Sequence, residues 1–210
     1  GLDLQSAISG DPIRIVGFAF VDDTDLLFSG RTRREVIEQT QWGLRLWEGI
    51  VRATGGGLVV EKDKSSWWLI DFSLNADGSW EYNDHYDEQD ILVRNFTGTE
   101  EKPIQRLSVH TPFETLGLFI APDGDQTREF EKLRDKVADW ATNVKGSFLQ
   151  GHNANTALRS TIFCTLAYAL PATTLSKDQC DEILEPALHT ILPRFRINRH
   201  FPRKMTHAPL

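Results

Sequence analysis

Residues 13–28 run Ile13-Arg14-Ile15-Val16-Gly17-Phe18-Ala19-Phe20-Val21-Asp22-Asp23-Thr24-Asp25-Leu26-Leu27-Phe28. An apolar run ends in two adjacent carboxylates, and a second apolar run follows almost at once. The spacing predicts strand, tight turn, strand, with Asp22 and Asp23 at the bend. Like charges side by side repel, and near an apolar surface they are costly unless a cation neutralises them. A hard divalent ion such as Mg²⁺ takes oxygen ligands of this kind, commonly one or two carboxylates together with substrate phosphates. On the pair alone, an acidic and solvated hairpin turn is the simpler reading, because Asp is common in turns.

Downstream, residues 32–54 carry Ile37, Thr40, Leu44, Trp47 and Val51 at spacings of three and four, the pattern of an amphipathic helix. Thr32 is the expected cap, with Glu35 as its capping-box partner. Gly55-Gly56-Gly57 ends the helix and leads into Leu58-Val59-Val60. A phosphate-binding loop follows a strand and opens a helix, so this glycine triplet is structural. Trp67–Phe72 reads as a strand, and Asn75-Ala76-Asp77-Gly78 turns it back into Ser79-Trp80-Glu81-Tyr82. Ile91–Val93 and Ile104–Val109 read as further strands around Gly98, and Thr115–Ile120 as another. After Pro122 the period changes. Phe130, Leu133, Val137, Trp140, Val144 and Phe148 form a helical stripe. Residues 153–170 predict a second helix, ended by Pro171, and residues 176–192 a third, capped by Ser176, with Pro186 inside it as the place for a kink or a split. Trp47 and Trp140 fall on apolar helix faces and are expected in the core.

The composition is that of a soluble globular chain, with 40% hydrophobic and 25% charged residues over 210 positions. No apolar run approaches the roughly 18 residues of a membrane span, so no membrane partner is expected. No secretory signal opens the chain, and its two cysteines, Cys164 and Cys180, fit neither a metal spacing nor a disulfide framework. Both are expected to be buried thiols, and an intracellular location fits. The net charge of −7 hides a division. Residues 1–125 carry 11 Lys/Arg against 22 Asp/Glu, a net −11, whereas residues 126–210 carry 12 against 8, a net +4. The basic excess peaks at Arg194, Arg196, Arg199, Arg203 and Lys204, a cluster suited to phosphates. None of the six histidines pairs with cysteine or acid at a metal-ligand spacing.

The order of elements gives these features a common frame: an aromatic-x-Asp-Asp hairpin, a helix with glycines, the lysine-bearing Glu61-Lys62-Asp63-Lys64-Ser65 before a strand, Leu116-Gly117-Leu118 in a strand, then a helical bundle. The chain resembles the C-terminal palm and thumb part of a reverse transcriptase of the non-long-terminal-repeat retrotransposon type, over roughly residues 13–193. The resemblance implies an α+β fold: a palm-like antiparallel sheet with one long helix over residues 1–122, and a helical thumb-like bundle with a basic tail over residues 123–210. It implies RNA-directed DNA polymerisation, with RNA template, DNA primer and dNTP as partners and Mg²⁺ or Mn²⁺ as cofactor. Asp22 and Asp23 are the implied metal ligands. Lys64 is the implied motif lysine near the leaving pyrophosphate, with Lys62 as the alternate. Leu116 and Gly117 match the primer grip, and Arg199 and Arg203 are expected nucleic-acid contacts. The family's palm draws a further aspartate and its fingers segments from upstream of the hairpin. Asp3 and Asp11 are poor candidates for that aspartate, being polar in context and glycine-flanked. The chain is therefore expected to be inactive alone, as a piece of a longer polyprotein or a decayed element. A non-catalytic nucleic-acid-binding module built on the basic half is the alternative.

Overall fold

A computed structural model of the chain describes residues 2–6, 9–20, 23–59, 64–83, 89–95 and 97–198. The fold is mixed α and β, and its contacts divide it into two compact units. One comprises Gly1–Thr111 and Ala121–Asp123, the other Pro112–Ile120 and Gly124–Leu210. Among the described residues, no helix is long and apolar enough to cross a membrane.

The first unit begins with a hairpin that the sequence did not announce, β1 (Leu2–Gln5) on β2 (Pro12–Ile15). The expected apolar strand then breaks at Val16. Its second half, β3 (Gly17–Phe20), pairs antiparallel with β4 (Asp23–Leu26). Gly17 is needed there, because a Cβ would come within 2.6 Å of the Asp25 carbonyl. Helix α1 (Arg33–Ala53) follows, with the Thr32 hydroxyl accepting from the Glu35 N–H at 3.2 Å. The Glu35 carboxylate takes the N–H of Arg31 at 2.9 Å, one residue before the place a reciprocal capping box uses. The Phe28 ring lies on the helix at Gly43, where a Cβ would overlap the ring edge.

The unit's core forms between α1 and short strands. Ile37, Ile91, Val93 and Ile104 are buried, with Leu44, Leu58 and Trp67 packed against them. The Gln41 side chain brackets Leu92, accepting from its N–H at 2.8 Å and donating to its carbonyl at 2.7 Å. That residue opens β8 (Leu92–Arg94), which pairs with β9 (Glu101–Pro103). The predicted strand over residues 67–72 is two elements. β5 (Ser66–Trp68) pairs in parallel with β10 (Gln105–Leu107), and β6 (Phe72–Leu74) pairs with β7 (Trp80–Tyr82) across the predicted Asn75–Gly78 turn. Between them Leu69 turns into the core, and Asp71 is held by Arg33 Nε at 2.5 Å. The described strands form six two-stranded ladders in place of one continuous antiparallel sheet.

The second unit is a helical core with one hairpin attached. Helix α2 (Thr127–Lys145) packs along α5 (Lys177–Ile191). Between them in sequence runs α3 (Gly151–Ala157), a π-helical segment over Leu158–Phe163, and α4 (Cys164–Ala169). Leu133, Val137, Val144, Leu158, Ile162, Ile183 and Ile191 bury the facing stripes, with Trp140 packed against them. Ser176 and Gln179 make the full reciprocal capping box on α5. Three details depart from expectation. α2 stops at Lys145, so Phe148 leaves the stripe and is fully exposed. Cys164 is exposed and Cys180 half-buried. The hairpin β11 (Phe113–Thr115) and β12 (Leu118–Ile120), expected with the β-rich half, groups with the helices.

Candidate functional site

The sequence directs attention first to the Asp-Asp hairpin. β4 opens with Asp23, opposite Phe20 at the last rung of the ladder, which leaves a two-residue link made of Val21 and Asp22. Both linking residues lie outside the described part of the structure. Asp23 is solvent-exposed, and Asp25 shares its face of the strand by the alternation of strand side chains. Lys64 is exposed in the turn that enters β5, and no ion pair joins it to Asp23. Lys62, Arg199 and Arg203 lie outside the described residues. Among the described residues, no group of three His, Cys, Asp or Glu side chains is arranged to hold a metal ion. Asp23 and Asp25, two exposed carboxylates on one strand, do not by themselves make a metal centre.

The second sequence-predicted site is more fully built. Leu116 and Gly117, read as part of a strand, are instead the two-residue turn between β11 and β12. Both have left-handed backbone, with φ of 49° and 76°. A two-residue hairpin loop demands this geometry, because its twist matches that of the paired strands. Glycine accepts it freely, whereas leucine does not. The helices hold the turn by its carbonyls. Tyr168 donates its hydroxyl to the Leu116 carbonyl at 2.6 Å, and the Lys132 ammonium donates to the Gly117 carbonyl at 2.5 Å. Lys132 also reaches Glu114 at 2.7 Å and Glu129 at 3.9 Å.

Glu129 is the residue that sequence reasoning passed over. It lies in the first turn of α2, four residues before Leu133 on the inward stripe, and is 1% exposed. A buried carboxylate is costly unless bonded and neutralised. Here the Phe119 N–H donates to Oε2 at 2.9 Å while Lys132 supplies the charge. The Phe119 ring carries Arg128 and Lys132 at 5.2 and 5.0 Å. The signal was available, since a glutamate falls in register with an apolar helical stripe. Beside the turn lies a groove of about 520 Å³, lined by Gly117, Leu118, Leu133, Lys136, Cys164 and Tyr168.

Compared with protein-family models, curated proteins and solved structures, the chain matches none of them.

Proposed function

We propose that the chain is the palm-and-thumb part of a reverse transcriptase of the non-long-terminal-repeat type, acting in template-directed nucleotidyl transfer within its parent polymerase. The observation that carries the reading is the β3–β4 register, in which Phe20 faces Asp23. With that register, the sequence puts the aromatic-x-Asp-Asp motif at a bend between paired strands, the place from which carboxylates leave a sheet. On this reading Asp22 and Asp23 hold Mg²⁺ or Mn²⁺, Lys64 serves the leaving pyrophosphate, and RNA template, DNA primer and dNTP are the partners. A bound metal pair would supply electrostatic stabilisation of the attacking and leaving oxygens. The Leu116–Gly117 turn supports the reading from a second direction. A bulky, exposed residue kept in left-handed backbone, and latched by two helices, is a costly feature that stability alone does not ask for.

Primer extension on an RNA template, with dNTPs and Mg²⁺ or Mn²⁺, tests this function. The chain holds two of the three carboxylates that the resemblance implies, so no extension is expected from it alone. Extension is expected once it is joined to a segment that supplies the further aspartate strand and the fingers, and it should vanish with Asp22→Asn or Asp23→Asn. Extension that survives both substitutions contradicts the proposal. The basic balance of residues 126–210 favours one second reading, a nucleic-acid-binding module without catalysis.

A further inference from the structure

The connection between α2 and α3 carries an unusual surface. Phe148 is wholly exposed, at 103% of its reference area, and Leu149 beside it is 37% exposed. Phe195 and Ile197, at the far end of α5, are 45% and 38% exposed. The two chain segments are held together. The Arg194 guanidinium donates to the carbonyls of Leu149 and Ser147, and to that of Val144 in the last turn of α2. A Cβ at Gly151 would meet the Phe195 ring at 3.3 Å, so that ring lies over the start of α3. The result is an apolar patch with a free ring, fixed by an arginine and flanked by exposed Lys145, His152 and Arg196.

The chain segments that form this patch carry charge of one sign. No Asp or Glu occurs between Asp139 and Asp178, and none follows Glu185. Every residue of the patch and its rim comes from those acid-free stretches. Segments that bring cations, no carboxylates of their own and a ring free to stack suit a phosphate backbone carrying unpaired bases. We propose that Phe148 is a base-stacking platform for single-stranded nucleic acid, with Lys145 and Arg196 contacting its phosphates. This surface belongs to the helical unit, and binding there needs no metal ion.

The experiment is fluorescence anisotropy of labelled oligo(dT) with the full chain, in EDTA, over a salt series. Wild type should bind with affinity that falls as salt rises. Phe148→Ala should weaken binding by at least about fivefold, the lower end of what one stacked base is worth. Phe148→Tyr should restore it, whereas Phe148→Leu should not, because a leucine is apolar without a ring. Lys145→Gln with Arg196→Asn should flatten the salt dependence by about 0.7 in logarithmic slope for each phosphate no longer neutralised. Asparagine is chosen at 196 because that residue has φ of 62°. Absence of binding by wild type, or equal binding by Phe148→Ala with an unchanged circular dichroism spectrum, overturns the proposal. So does Phe148-dependent association with phosphatidylserine vesicles in place of the oligonucleotide, which would make the patch a lipid-surface contact. Oligo(dT) binding that stays intact in Asp22→Asn and Asp23→Asn, the substitutions expected to abolish extension by the joined polymerase, keeps this inference distinct from the polymerase reading.

Discussion

Leu116 shows how one residue can set stability against use. Its φ of 49° lies where leucine is disfavoured by roughly 1–2 kcal/mol and asparagine is not. Leu116→Asn creates Asn-Gly, the favoured pair for this turn, and is expected to raise stability by about 1 kcal/mol in urea unfolding. A destabilised variant would mean that the leucine side chain contributes more than its backbone costs. Glu129 makes the complementary case. Glu129→Ala strands the Phe119 N–H, leaves Lys132 with Glu114 as its remaining carboxylate, and should cost about 1–3 kcal/mol. Glu129→Gln keeps an acceptor for the N–H and should cost less. Equal losses for the two variants would assign the effect to charge and not to the hydrogen bond. Neither residue's role could be read from local sequence alone. Leu-Gly is no turn signal in the way Asn-Gly is, and its geometry is fixed by partners fifteen residues away or more.

At the scale of elements, legibility followed local chemistry. Helix α1, helix α5 and the β6–β7 hairpin were readable because caps, periodicity and an Asn-Ala-Asp-Gly turn act within a few residues. The break at Leu69–Asp71 was not, because it depends on Arg33, distant in the chain. The end of α2 was misplaced because Phe148 continued the apolar period while Gly146 and the Arg194 bonds stopped the helix. A pH dependence is expected at the start of α2. The Thr127 hydroxyl, then its N–H, bond the Asp125 carboxylate and hold it below the usual carboxylate range. A carboxylate whose folded pKa is depressed stabilises the fold above its unfolded value, near 4, and loses that contribution as pH falls through the folded pKa. Asp125→Ala should therefore lower the thermal midpoint at pH 7, and the gap from wild type should close as the solution is acidified below about pH 4. A gap that is constant down to strong acid would rule out the ionised form as the source.

For the molecule as a whole, charge and structure divide together. The acidic half carries the Asp-Asp hairpin, and the basic half carries the helical unit. The mixed α and β architecture was legible from the change of period after Pro122. The separation of the strands into small ladders was not, because pairing depends on contacts between distant segments. The proposed function depends on Asp22 and Asp23 forming a divalent-cation site at a hairpin bend. Titration of the chain with Mn²⁺, followed by electron paramagnetic resonance of the free ion, tests that claim most directly. Saturable uptake is expected, which Mg²⁺ competes away and which the double substitution Asp22→Asn with Asp23→Asn abolishes. Uptake that is absent, or unchanged in the double variant, would leave the bend an acidic turn with no part in phosphate chemistry.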